Sequence, residues 1–142
     1  KETNLVYAGR KLLDMGPNTV VIKRGENGLL MIQGDFMFMA PAFPLENVVD
    51  PTGAGDSFAG GFLGYLDATN DLSFDGFRRA AAVGSVMGSF ACESFSLDKL
   101  ASLDQKDIAL RFRSFVDMCR IEPFNAGESL PWRNDFARDT RH

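Results

Sequence analysis

Apolar positions along the chain change their period several times, and each change marks a predicted element. Between Thr3 and Met15, Leu5, Val6, Leu12 and Leu13 recur near helical spacing and Gly16-Pro17 stops the pattern, so this segment reads as a helix. The β-branched run Thr19-Val20-Val21-Ile22 is bounded by turn residues and reads as a buried strand. Past Gly25-Glu26-Asn27-Gly28, the apolar runs Leu29–Ile32 and Phe36–Met39 flank Gln33-Gly34-Asp35, which is a hairpin signal. Pro41 and Pro44 predict a loop, Val48-Val49 a short strand, and Gly55 to about Leu66 a helix with Phe58, Phe62 and Leu66 on one face. A helix follows from Ser73 to about Phe90, where Ala80-Ala81-Ala82 and Gly84 permit close approach. A short one covers Leu97–Leu103, and Asp107–Met118 is amphipathic. This alternation predicts an α/β fold, with a mostly parallel sheet covered by helices and an antiparallel hairpin at one side. From Glu122 onward Pro, Gly, Asn and charge mix without periodicity, so residues 1–121 read as the domain and 122–142 as an irregular tail.

Composition narrows the chemistry. The 142 residues are 45% hydrophobic, enough for one real core, and a net charge of −4 with acids and bases interspersed argues against nucleic acid or an anionic membrane as partner. Any bound anion must be held locally. His142, at the last position, leaves histidine-based catalysis without an internal candidate. Cys92 and Cys119 are too isolated for a disulfide framework or a metal site and fit reduced thiols of a cytoplasmic protein. No apolar run approaches a membrane span, and the charged opening KETNLVYAGRK is not a signal peptide. The opening in mid-helix pattern without an initiator methionine gives the expectation of a C-terminal portion of a longer protein.

The stretch VVDPTGAGDSF, Val48–Phe58, lies at a predicted strand-to-helix junction. The first N–H groups of a helix have no partner inside it, and together with the helix dipole they attract anions. Glycine lets an anion approach the main chain, so Gly53, Ala54 and Gly55 read as an anion cradle. Asp56 directly behind them should repel an anion. The conflict resolves if a phosphoryl group passes to a hydroxyl there, because a carboxylate beside the cradle can then take the hydroxyl proton. A capping or dipole-compensating aspartate and an ordinary Gly-x-Gly turn account for the same residues, and the local sequence leaves both readings open. No Gly-Lys-Ser/Thr follows, so this is not a P-loop, and Phe58 occupies the third glycine position of a dinucleotide fingerprint.

The full string Asp50-Pro51-Thr52-Gly53-Ala54-Gly55-Asp56-Ser57-Phe58, followed by Gly60-Gly61-Phe62, resembles the C-terminal signature of the ribokinase-like (PfkB) carbohydrate kinase family. Members of that family transfer the γ-phosphoryl group of ATP to a hydroxymethyl group of a sugar or nucleoside. Seven consecutive positions match the D-x-T-G-A-G-D form. Val21–Gly28 is similar to the family's strand and phosphate-proximal turn, and Ala80-Ala81-Ala82 to Glu93-Ser94 is similar to the helix and loop that close over the adenine. The resemblance covers residues 1 to about 118 and only the second half of the family's pattern. The half that supplies the other strands, the lid and most sugar contacts in the family is not in this sequence. The implied fold is a ribokinase-like three-layer αβα arrangement.

Carried over residue by residue, the resemblance makes Asp56 the catalytic base and Gly53, Ala54 and Gly55 the anion hole. Lys23, where the family usually has a small hydroxyl residue, would lie near the ATP phosphates, with Gly25, Glu26, Asn27 and Gly28 shaping that wall; a solvated lysine is the alternative. Asp50 and the Thr52 carbonyl match positions that bind a monovalent cation such as K⁺ in many members, a turn-forming Asp50 being the alternative. Further cation ligands are expected between Ser85 and Ser94, and Arg79 either edges the adenine or forms a solvated face with Arg78. ATP and Mg²⁺ are the implied cofactors. A pyridoxal or hydroxymethylpyrimidine kinase of the same fold and a non-catalytic nucleotide-binding fragment are the alternatives. Ala91–Leu97 is similar to a branch containing adenosine and related nucleoside kinases. The expected partners are a small sugar or nucleoside and a second copy in a homodimer. The isolated 142-residue chain is expected to be inactive and to self-associate through an open sheet edge.

Overall fold

A computed structural model describes residues 3–95, 98–125 and 127. The Asn4 side chain accepts the Tyr7 N–H at 3.1 Å and so caps α1 (Leu5–Leu13). Strands β1 (Thr19–Lys23), β2 (Leu29–Gln33) and β3 (Phe36–Ala40) form one sheet in the order β1-β2-β3, with Val20 opposite Ile32 and Met31 opposite Phe38. The hairpin turn is Gly34-Asp35, with Gly34 at φ 53°. Arg10 of α1 donates to the Gly34 carbonyl, which fastens the helix to that turn.

Both pairings are antiparallel. The connections are the short 3₁₀ turn Gly25–Asn27 and the hairpin turn, and a parallel crossover needs a dozen or more residues. The parallel strands expected from the sequence are not among the described residues. β2 is central and buried from Leu29 to Ile32, whereas in β1 only Val20 is buried, because β1 has a sheet neighbour on one side only. Val48-Val49 is not a strand, contrary to the sequence expectation. The Val49 N–H donates to the Cys92 carbonyl at 2.8 Å instead of to a neighbouring strand, and both side chains are exposed.

Helices α2 (Ala54–Thr69) and α3 (Phe74–Ala91) pack through small residues. A Cβ on Gly84 would lie 2.8 Å from the Phe58 carbonyl, and one on Gly61 would lie 2.7 Å from the Met87 side chain. Ser73 caps α3 by accepting the Gly76 N–H at 3.1 Å. The core gathers Leu29, Met31 and Ala40 from the sheet, Ala81, Val86 and Phe90 from α3, and Phe115 from α5 (Gln105–Cys119). Burying one such aromatic contributes roughly 1.5–3 kcal/mol. Helix α5 begins in a capping box of Asp104 and Asp107, two residues before the sequence boundary at Asp107.

Helix α4 (Asp98–Ala101) is shorter than the predicted Leu97–Leu103, and Leu97 lies outside the described residues. So does most of the predicted tail, residue 126 and residues 128–142. Cys92 and Cys119 are free thiols. Among the described residues no helix is long and apolar enough to cross a membrane.

Candidate functional site

The junction before α2 is built from three local devices. The Asp50 carboxylate accepts the Thr52 N–H at 2.9 Å, an Asx turn that reverses the chain. The Pro51 carbonyl then accepts the Ala54 N–H at 3.2 Å. Gly53, at φ 81° and ψ −5°, takes the left-handed conformation that glycine reaches without strain. As N-cap it has no side chain to accept a hydrogen bond from the first turn, and a helix start of this kind is where backbone N–H groups can receive an anion. Asp56 is exposed in that first turn, where the dipole also favours a carboxylate.

Beside the junction is a cleft of about 1080 Å³ between the 3₁₀ turn, the loop around Phe43, and helices α2 and α3. The Lys23 ammonium crosses from the end of β1 to donate to the Gly55 carbonyl at 2.9 Å, and it stands 5.6 Å from the centre of the Phe58 ring. A Cβ on Gly55 would lie 3.0 Å from that ammonium. Gly28, at φ 76°, leaves no room for a side chain, since a Cβ there would lie 2.0 Å from the Ala40 carbonyl oxygen. Lys23, Gly25, Glu26, Asn27, Gly28, Ala54 and Gly55 thus share one cleft. Asp50, Thr52, Gly53 and Asp56 are not part of its lining.

The end of α3 meets this junction. The Cys92 carbonyl accepts the N–H groups of Val49 at 2.8 Å and Asp50 at 3.4 Å, which puts the Ser85–Ser94 region beside Asp50. Hydrogen bonds from the Thr52 side chain, and next from its backbone, hold the Asp50 carboxyl below the ordinary carboxylate range, so it is anionic at neutral pH. Burial, followed by the Asp50 and Glu93 charges, pushes the Cys92 thiol upward, which keeps it protonated and a poor nucleophile. Among the described residues no three acidic, Cys or His side chains converge as a metal site. One carboxylate with neighbouring backbone carbonyls is an all-oxygen donor set, which suits a hard cation.

Arg79 pairs with Asp71 at 3.5 Å on the exposed face of α3 and is not part of the cleft, which favours the solvated alternative over the adenine edge. Arg78 pairs with Asp75 at 3.1 Å and lies 5.2 Å from the Phe38 ring centre. The sequence reading missed Arg111. Its guanidinium donates to Glu93 Oε1 at 2.5 Å and to Ser89 Oγ at 3.0 Å, and it lies 3.6 Å from the Phe90 ring centre. A signal was available: Arg111 stands three residues after Ile108 and four before Phe115, on the apolar face of α5.

Compared with known proteins, the family model described as pfkB family carbohydrate kinase matches residues 1–100. A cytidine kinase from Thermococcus kodakarensis is 54% identical over 58 residues, 39% of this chain and 20% of that protein. A deoxyribokinase from Salmonella typhi is 40% identical over 65 residues, 46% of this chain and 21% of that protein. The solved aminoimidazole riboside kinase from Salmonella enterica, complexed with aminoimidazole riboside and an ATP analog, superposes with TM-score 0.68 at 28% identity, covering 78% of this chain and 37% of that one. The chain therefore spans about a fifth of the length of these curated relatives.

Proposed function

Because the chain belongs to the pfkB family of carbohydrate kinases, we propose that it forms the ATP side and the catalytic loop of a kinase acting on a hydroxymethyl group of a sugar or nucleoside. The observation that carries this reading is the junction at Gly53, where an uncapped helix start, the Lys23 ammonium and the Asp56 carboxylate occur within one turn of α2. Cytidine kinase, deoxyribokinase and aminoimidazole riboside kinase are named for acceptors that contain a pentose with a hydroxymethyl group. That supports the same acceptor class here. The ribokinase-like three-layer fold would be completed by parallel strands added at the open edge of β1.

ATP would supply the phosphoryl group, with Mg²⁺ offsetting its charge. The residues of this chain do the rest. The N–H groups of Gly53 and Gly55 donate to oxygens on which negative charge builds during transfer, and that of Ala54 joins them by exchanging the Pro51 carbonyl for the anion. Lys23, tethered to a neutral carbonyl at the cleft wall, is placed to meet phosphate oxygens, and Gly25–Gly28 shape the wall beside it. Asp56 accepts the proton of the attacking hydroxyl at a carboxylate oxygen. Asp50 and the Thr52 carbonyl would hold a monovalent cation such as K⁺, which would steady the anion hole.

The test uses the natural polypeptide that carries these residues, supplied with γ-labelled ATP and a panel of pentoses, hexoses and nucleosides. The expected result is a labelled phosphomonoester of a single acceptor class. Transfer should rise when K⁺ replaces tetramethylammonium at constant ionic strength, and Asp50→Ala should abolish that rise. Absence of both transfer and ATP binding would refute the proposal. Residues 1–142 alone should bind ATP weakly and transfer nothing, since positioning the acceptor supplies several kcal/mol of barrier reduction.

A further inference from the structure

We propose that Arg111 is a positioning residue of the cleft, one that fixes the last turn of α3 and, through it, the Asp50 loop and the Phe43 wall. The proposal rests on the reading of the cleft as the nucleotide site. Arg111 comes from α5, beyond the residues 1–100 that the family model matches.

Four contacts converge on its guanidinium. One nitrogen donates to Ser89 Oγ at 3.0 Å and another to Glu93 Oε1 at 2.5 Å, while the plane lies 3.6 Å from the Phe90 ring centre and 5.1 Å from that of Phe43. Ser89 Oγ donates onward to the Val86 carbonyl at 2.6 Å, so the arginine grips a turn whose polar groups are already satisfied. Phe43, Ser89 and Cys92 line the cleft, and the Cys92 carbonyl holds the N–H groups of Val49 and Asp50. The path from α5 to the junction is therefore continuous: Arg111, the 89–93 turn, the Asp50 loop, the start of α2.

Stability alone does not account for this arrangement. The side chains of Arg111 and Glu93 are only 17% and 25% exposed, and a largely desolvated ion pair is often no better for stability than apolar residues of similar volume. What it supplies is geometry, because the planar fork and the stack fix three partners at once in a way that lysine cannot copy. It also neutralises Glu93. The charges of Glu93 and Asp50 both act on the Cys92 thiol, so an unpaired Glu93 would add a second negative charge beside the cation loop.

The experiment measures ATP binding by calorimetry and thermal unfolding on the intact protein, in K⁺ and in tetramethylammonium, for Arg111→Met, Arg111→Lys and the control Arg79→Met. Arg111→Met should weaken ATP binding roughly tenfold, the low end of what losing an outer-shell partner costs at metal sites, and should shrink the difference between the two salts. Arg111→Lys should lose roughly threefold, since it retains the charge but not the fork. Arg79→Met should match wild type. If Arg111→Met does not fold, the lysine variant decides. ATP affinity and salt response within twofold of wild type in the folded Arg111 variants would overturn the positioning role. A wild-type protein that binds no ATP would instead overturn the reading of the cleft itself.

Discussion

Helices α2 and α3 are both rich in glycine and lie against one another, yet they are built for different purposes. Ten of the 18 residues of α3 are buried, whereas among the 16 of α2 only Leu66 is. The glycines of α3 are sites of contact: Gly76 meets Asp71, Gly84 meets Phe58 and Gly88 meets the Ala54 carbonyl. In α2, Gly61 likewise meets Met87 of α3, but Gly60 and Gly64 meet nothing within 4 Å, and neither does Gly53 just before the helix. At Gly84 and Gly88 of α3, and at Gly61 of α2, glycine makes room for the neighbouring helix. At the start of α2 it sets backbone conformation and leaves the first turn open. A scaffold and a site are drawn from the same residue types, and contact distances tell them apart.

This contrast can be broken by substitution, beginning with the most severe. Gly28→Ala combines a left-handed backbone with a clash against main-chain atoms at the end of β3, so a loss of about 3 kcal/mol or more in unfolding free energy is expected. Gly84→Ala drives a Cβ into the Phe58 carbonyl and ring, and its expected cost is about 2 kcal/mol in denaturant titration. Phe58 is two residues beyond Asp56, so the same variant should also disturb the start of α2. Gly60→Ala has the opposite sign. An exposed helix interior with open space should gain about 0.5–1 kcal/mol, and a measured loss would mean that another part of the protein covers this face.

The elements with a clear period were legible in the sequence. Helices α1, α2, α3 and α5 announced themselves by apolar spacing, α1 also by its stop at Gly16-Pro17, and the hairpin by Gln33-Gly34-Asp35, whereas the Asp104–Asp107 cap that starts α5 was not read from the sequence. Val48-Val49 misled because β-branched residues report extended backbone, not the presence of a partner strand. The strand-to-helix position of the Asp50–Asp56 stretch was half legible, because the turn and the helix start are local while the expected strand before them is not there. The cleft was only half legible. Lys23 and Gly55 are 32 residues apart, and nothing in either neighbourhood predicts their hydrogen bond. Arg111 is 22 residues from Ser89 and 18 from Glu93, so its role follows from the packing of α5 on α3, which no local pattern encodes.

The central claim is that the open turn of α2 is a site of phosphoryl transfer with Asp56 as its base. Its most direct test is the turnover of Asp56→Asn in the intact protein with saturating acceptor, measured beside thermal unfolding and ATP affinity. Asp56 is exposed, so its replacement should cost no more than the roughly 0.3–1 kcal/mol of its interaction with the helix dipole, a small shift in unfolding temperature, and leave ATP affinity within a few-fold of wild type. Turnover should fall by roughly 10²-fold or more, the loss expected when a positioned base is removed. An Asp56→Asn protein that folds normally and turns over within about threefold of wild type would contradict the account, because a positioned base cannot be removed at so little cost in rate.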